Sequence, residues 1–128
     1  MECFARLSGR KRSSFSAHGA ADMADTLAAL AALIKSRREG IGDTSYTRQL
    51  LEGGTERCAQ KFGEEAVETI VAAVSQSNEA LTDEAADVLY HLLVVLESRD
   101  VAWSDVLAKL DGRMGIGGLA EKASRAKS

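Results

Sequence analysis

The sequence has no proline, few aromatic residues and only two cysteines. Aromatic residues make up 5% of the 128 residues, whereas Ala, Leu and Glu recur in long uninterrupted stretches. Because these three residues favour helices and aromatic residues favour strands, the composition predicts an all-α fold. Cys3 and Cys58 show no metal-ligand spacing, which argues against a disulfide framework or a zinc site. We interpret Cys58 as a small buried apolar residue.

The sequence also lacks an excess of basic charge and a long apolar run. The formal net charge is −3, so there is no general basic field for binding nucleic acid, and we expect none as a partner. No segment approaches the roughly eighteen consecutive apolar residues that a membrane span needs. Hydrophobic residues account for 45% and charged residues for 27% of the chain, as in ordinary globular domains. We therefore expect one cytoplasmic domain without a membrane partner.

The two ends of the chain differ from its middle. Residues 1–21 hold several basic residues against a single acid, and we interpret them as a flexible basic N-terminal extension. Residues 22–128 are the predicted all-α domain, which ends in a basic tail rich in glycine at its start. Within this domain, apolar periodicity predicts outer helical segments at 22–38, 45–51 and 104–113.

Two long central helices are the strongest structural prediction. The first is predicted at residues 56–75 with Thr55 as its N-cap, and the second at 79–98 with Ser77 or Asn78 as its cap. The short polar connection predicts that they pack as an antiparallel pair. The apolar face of the first is predicted to contain Ala59, Phe62, Ala66, Ile70 and Ala73.

Each central helix carries a pair of carboxylates. Glu65 and Glu68 lie three residues apart on the first helix, and Glu84 and Asp87 lie three apart on the second. Residues three apart are neighbours on a helix surface, and both pairs border an apolar stripe. The two pairs should therefore meet when the helices pack, whereas Glu64 projects farther from the seam.

Four carboxylates beside a core would repel one another and lose solvation, so a positive group is expected among them. A divalent cation fits, because Mg²⁺ takes oxygen ligands and is often completed by substrate phosphates. Oxygen-only ligation favours Mg²⁺ or Mn²⁺ over iron, since di-iron bundles place Glu-x-x-His on two helices and here only His91 lies nearby. Either acidic pair alone would be interpreted as a solvated surface.

The residues around the carboxylates resemble a known superfamily. Glu65-x-x-Glu68 followed by Glu84-x-x-Asp87 resembles the magnesium motif of the all-α NTP pyrophosphohydrolase, or MazG-like, superfamily. Within it, the chain resembles the phosphoribosyl-ATP pyrophosphatase family over about residues 27–125. The resembling segments include SYT at 45–47, KFGEEAVE at 61–68, EAADVLYHLL at 84–93 and EKASR at 121–125.

This resemblance implies a helical bundle, a reaction and a set of site residues. The implied reaction is Mg²⁺-dependent hydrolysis of phosphoribosyl-ATP to phosphoribosyl-AMP and pyrophosphate, the second step of histidine biosynthesis. Activated water would attack the α–β phosphoanhydride. The implied metal ligands are Glu65, Glu68, Glu84 and Asp87, with Glu64 as a further ligand or as the base that orients the water. Candidate substrate-binding residues are Lys61, His91, Arg113, Lys122 and Arg125.

Some interpretations remain open at this point. His91 fits a hydrogen-bonded helix contact as well as a substrate-binding role, and the C-terminal basic residues fit a solvated tail. The alternative functions are a house-cleaning NTP pyrophosphatase of the same superfamily and a non-catalytic helical metal-binding or interaction module. A homodimer is expected, both from the resemblance and because the second central helix has more apolar surface than one neighbour can cover.

Overall fold

The computed structural model describes residues 20–115, with side chains described from residue 26 onward. This part of the chain forms five α-helices and no strand: α1 (Ala20–Glu39), α2 (Tyr46–Glu52), α3 (Gly54–Ser75), α4 (Asn78–Ser98) and α5 (Trp103–Gly115). The predicted all-α fold class is therefore confirmed. Among the described residues, no helix is long and apolar enough to cross a membrane.

The helix starts test the capping predictions for the two central helices and show a further N-cap at α2. Ser45 caps α2 by accepting a hydrogen bond from the backbone N–H of Arg48 (3.1 Å), and Ser77 caps α4 in the same way through Ala80 (3.1 Å). The prediction that Thr55 caps the next helix is wrong, because α3 already begins at Gly54. The chain turns from α2 directly into α3, and Gly54 takes the left-handed backbone (φ 83°) that glycine adopts without steric cost.

The core lies where α1, α2 and α3 pack on α4. The predicted pairing of the two central helices is confirmed, since α3 and α4 make the most extensive contact among the described helices. Cys58 is buried as predicted, and its thiol donates to the carbonyl of Leu50 (3.2 Å). The fully enclosed apolar residues are Ile34, Leu50, Cys58, Tyr90, Leu93 and Val94.

The predicted inward face of α3 is wrong in part, because Phe62 and Ala66 are half-buried whereas the other three residues are exposed. Ile70 is 62% exposed, and Ala59 and Ala73 are exposed as well. The buried residues of α3 are instead Cys58, Glu65 and Ala72, which lie seven residues apart on one side of the helix. The apolar periodicity gave the wrong inward face because α3 has two distinct faces. One face carries a buried carboxylate, and the other is apolar and is not covered by the described part of the chain.

A buried hydrogen bond joins α2 to α4. The hydroxyl groups of Thr47 and Tyr90 lie 2.6 Å apart, and both residues are fully enclosed. On the other side of α2, Arg48 donates to the carbonyls of Arg37, Arg38 and Gly40, which close the C-terminal end of α1. These contacts fix α2 against both α1 and α4.

We predict that Thr47→Val and Tyr90→Phe each lower the free energy of unfolding by about 1 kcal/mol, because each removes one member of a buried hydrogen bond. The double variant should lose less than the sum of the two single losses, since neither hydroxyl then remains without the other. Urea denaturation followed by circular dichroism measures all four proteins. If the two single losses in the free energy of unfolding are strictly additive in the double variant, the Thr47–Tyr90 hydrogen bond does not contribute to the packing of α2 on α4.

Candidate metal centre

Three carboxylates from α3 and α4 converge on one point. Glu65, Glu84 and Asp87 are each only 4% exposed, and one oxygen from each lies within 4.8 Å of the others. Glu65 comes from α3 and the other two come from α4. The two helices thus bring together three of the four residues that the sequence analysis proposed as metal ligands.

Glu68 is the fourth carboxylate that the sequence predicted for this site. It is half-buried, and its negative charge contributes to the raised pKa values of Glu65, Glu84 and Asp87. One oxygen each of Glu65, Glu68 and Glu84 is buried without a hydrogen-bond partner among the residues described. These four side chains are called the acidic cluster below.

The electrostatics of the acidic cluster favour a bound cation. Burial and the neighbouring Glu68 raise the pKa of Glu65 to about 7. Burial is also the main reason that the pKa values of Glu84 and Asp87 are raised. Because loss of solvation and mutual repulsion both disfavour the charged forms, a divalent cation would stabilise ionised carboxylates here. The unpartnered oxygens supply the hard donors that Mg²⁺ or Mn²⁺ prefers.

Lys61 and Glu64 form an ion pair at the edge of the site. The Lys61 ammonium lies 2.9 Å from a carboxylate oxygen of Glu64, and Gln60 donates to the other oxygen (3.2 Å). These contacts lower the pKa of Glu64, whose side chain is 47% exposed. Glu64 is therefore an ionised and accessible carboxylate, unlike the buried members of the acidic cluster.

His91 is buried in a way that the sequence did not indicate. The sequence left open a hydrogen-bonded helix contact and a substrate-binding role for His91. In the structure, neither ring nitrogen has a hydrogen-bond partner within the described part of the chain. The ring is fully enclosed and lies edge-on to Tyr90 (centroids 5.0 Å apart) and to Tyr46 (6.4 Å). Burial, together with the positive charge of Lys61, lowers the pKa of His91 to about 4.

The remaining candidate substrate-binding residues are not among the converging carboxylates, and only one of them belongs to the described part of the chain. Arg113 is exposed in the last turn of α5, a helix that packs on α1. Lys122 and Arg125 lie outside the described residues, as does most of the predicted N-terminal extension. Sequence reasoning did not identify the contact between Tyr46 and His91, because it depends on how α2 packs on α4.

We predict that Glu65→Gln stabilises the protein in the absence of divalent ions, and more at pH 8 than at pH 5. The native pKa of about 7 lies above the ordinary value of 4.5, so the native state binds more protons between these values. Stability from protonated Glu65 is thus fully present below pH 4.5 and is lost as the pH rises through 7. Gln mimics the protonated acid at every pH.

Thermal unfolding in a chelating buffer measures this effect, with an expected rise in Tm on the order of 5 °C at pH 8. Glu79→Gln, at an exposed position of α4, serves as the control and should change little. A Glu65→Gln variant that is less stable than the wild type at pH 8 would contradict the proposed repulsion.

Comparison with known proteins agrees with this geometry. The family described as phosphoribosyl-ATP pyrophosphohydrolase matches residues 27–114. The chain is 58% identical over 99 residues to a phosphoribosyl-ATP pyrophosphatase from Dinoroseobacter shibae, and the matched segment covers 77% of this chain and 97% of that protein. It is 54% identical over 96 residues to the protein of the same name from Jannaschia sp., which covers 75% and 94%. The chain therefore belongs to the phosphoribosyl-ATP pyrophosphohydrolase family.

Proposed function

We propose that this protein hydrolyses phosphoribosyl-ATP to phosphoribosyl-AMP and pyrophosphate in histidine biosynthesis, with a divalent cation held by Glu65, Glu68, Glu84 and Asp87. The observation that carries the proposal is the convergence of buried carboxylates with unpartnered oxygens between α3 and α4. Membership in the phosphoribosyl-ATP pyrophosphohydrolase family supports the choice of substrate, as do relatives that bear this enzyme's name.

The chemistry of a phosphoanhydride explains why such a cluster is useful. The phosphate oxygens repel both an incoming nucleophile and the acidic cluster itself, so the site needs positive charge before it can bind the substrate. Glu65, Glu68, Glu84 and Asp87 would hold a Mg²⁺ or Mn²⁺ ion, which would supply that charge and would lower the pKa of a water molecule for attack on the α–β linkage. The carboxylates would fix the position of the cation, and we assign to Glu64, whose side chain is exposed, the role of orienting or deprotonating the attacking water.

Basic residues of the chain would bind the outer phosphates and the ribose phosphate. Lys61 lies at the edge of the acidic cluster through its ion pair with Glu64. We assign the same role to Arg113, Lys122 and Arg125, and a substrate contact to His91 if the residues that enclose it move. A cytoplasmic location fits the proposed metabolic role.

Two other functions lead to different measurements. A house-cleaning NTP pyrophosphatase would share the acidic cluster but prefer nucleoside triphosphates over phosphoribosyl-ATP. A non-catalytic metal-binding module would bind Mg²⁺ without releasing pyrophosphate. Pyrophosphate release from phosphoribosyl-ATP and from a panel of NTPs, with and without Mg²⁺, separates these functions from the proposed one.

We predict that Glu68→Gln, Glu84→Gln and Asp87→Asn each lower kcat/KM for phosphoribosyl-ATP by more than about 100-fold, because each removes a negative charge that holds the cation. Helicity measured by circular dichroism should remain unchanged. Glu79→Gln is the matched control on an exposed turn of α4 and should retain wild-type activity. A wild-type rate in any of the three cluster variants would show that the substituted residue is not needed to hold the cation.

We also propose a homodimer, supported by an apolar stripe on α3. Val67, Ile70, Val71 and Val74 are between 43% and 79% exposed. At about 100° per residue, these positions fall within one arc on the side of α3 opposite Glu65 and Ala72. The sequence analysis had placed the excess apolar surface mainly on α4, where Leu89 is 41% exposed. A second copy packed on the α3 stripe would bury a continuous surface rather than a single side chain.

We predict that Val74→Arg weakens the dimer at least tenfold, because it places a charge within an apolar contact. Analytical ultracentrifugation over a concentration series measures the dissociation constant. Ile41→Arg is the control, since Ile41 is fully exposed but stands alone in the loop between α1 and α2. If both variants associate as the wild type does, the dimer uses another surface.

A further inference from the structure

The buried ring of His91 has polar atoms that a contact with substrate would not satisfy in the substrate-free protein. The residue is fully enclosed, and both ring nitrogens are without hydrogen-bond partners among residues 26–115. It also stands outside the group of converging metal-binding atoms, which comprises Glu65, Glu84 and Asp87. His91 is therefore close to the acidic cluster along α4 but is not one of its ligands.

The chemistry of a neutral imidazole limits what this ring can do. A neutral ring has one N–H donor and one acceptor nitrogen, and burying either without a partner is unfavourable. Burial holds the pKa of His91 at about 4, so the ring carries no charge near pH 7. A neutral donor can orient a carboxylate without competing with a cation for the negative charge of that carboxylate.

The position of His91 on α4 identifies the carboxylate it can reach. Asp87 lies four residues earlier, and side chains at this spacing have β-carbons about 5–6 Å apart on the same side of a helix. Neither ring nitrogen of His91 has a hydrogen-bond partner among the described residues, so no direct hydrogen bond joins the ring to Asp87. A water molecule can join two such side chains, because buried waters commonly bridge polar groups that have no other partner.

We propose that His91 is a positioning residue that holds Asp87 in its cation-binding orientation through a bridging water. The ring N–H donates to the water oxygen, and the water donates one hydrogen to Asp87. Its second hydrogen is available to the buried unpartnered oxygen of Glu65. This inference rests on the proposed function, because it assumes that Asp87 binds a cation.

The test measures Mn²⁺ binding to the substrate-free full-length protein by electron paramagnetic resonance. His91→Phe keeps a ring in the core but removes the donor, and it should weaken Mn²⁺ binding about 10–100-fold, as loss of a group that orients a metal ligand commonly does. His91→Gln retains an N–H donor and an acceptor, and it should bind within about threefold of the wild type. Val94→Ala removes enclosed volume from the same helix and controls for general loss of stability.

The outcomes distinguish this inference from the proposed function. If the wild type does not bind Mn²⁺, the proposed metal centre is contradicted, and the proposed role of His91 is contradicted as well. If the wild type binds and His91→Phe binds equally well, only the positioning role is overturned. Equal weakening in Val94→Ala, or in His91→Gln, would likewise overturn it.

A measurement on the wild type covers the case in which His91→Phe does not fold. The ring nitrogens of ¹⁵N-labelled His91 should report one neutral tautomer between pH 5 and 8, and the protonated nitrogen should shift when Mg²⁺ is added. Exchange between the two tautomers, or a resonance that does not respond to Mg²⁺, would contradict a fixed hydrogen bond toward the acidic cluster.

Discussion

Repulsion among buried carboxylates is the constraint on which the site depends. Glu65, Glu84 and Asp87 are almost fully enclosed, and Glu68 adds a fourth negative charge beside them. Surface acids avoid this situation by facing water, so the arrangement persists only because packing elsewhere holds α3 against α4. The raised pKa of Glu65 has the same origin, since burial is its main cause and the neighbouring carboxylates add to it. A bound cation would offset both effects, so cation binding would stabilise the fold.

Contacts outside the acidic cluster brace α4, the helix that carries Glu84 and Asp87. Tyr90 on α4 bonds to Thr47 on α2, and Arg48 on α2 bonds to the carbonyls at the end of α1. Arg38 on α1 in turn pairs with Glu97 near the end of α4 (3.1 Å). These contacts form a closed path from α4 through α2 and α1 and back to α4. Two of the buried carboxylates thus project from a helix that is held by contacts away from them.

How much the sequence could predict differs between the helices and their faces. The helices were predictable because their periodicity is strong and because Ser45 and Ser77 are good N-caps. The convergence of the acidic pairs was predictable as well, since a spacing of three places both pairs on adjoining helix faces. The inward face of α3 was not predictable, because the exposed side chains Ile70 and Val74 form an apolar stripe like that on the buried face of a core helix. Apolar periodicity indicates that a surface is to be covered, and it does not say by which neighbour.

His91 shows a second limit of prediction from sequence, and one that bears on mechanism. Position along α4 placed it near Asp87, but only packing shows that Tyr46 and Tyr90 enclose it from α2 and α4. That enclosure keeps the ring neutral, whereas a lysine at the same place would pair with the carboxylates and compete with a cation. Lys61 illustrates the difference, because its ammonium is already paired with Glu64. Under the role proposed above, an uncharged ring at position 91 would leave the negative charge of the acidic cluster available to a cation.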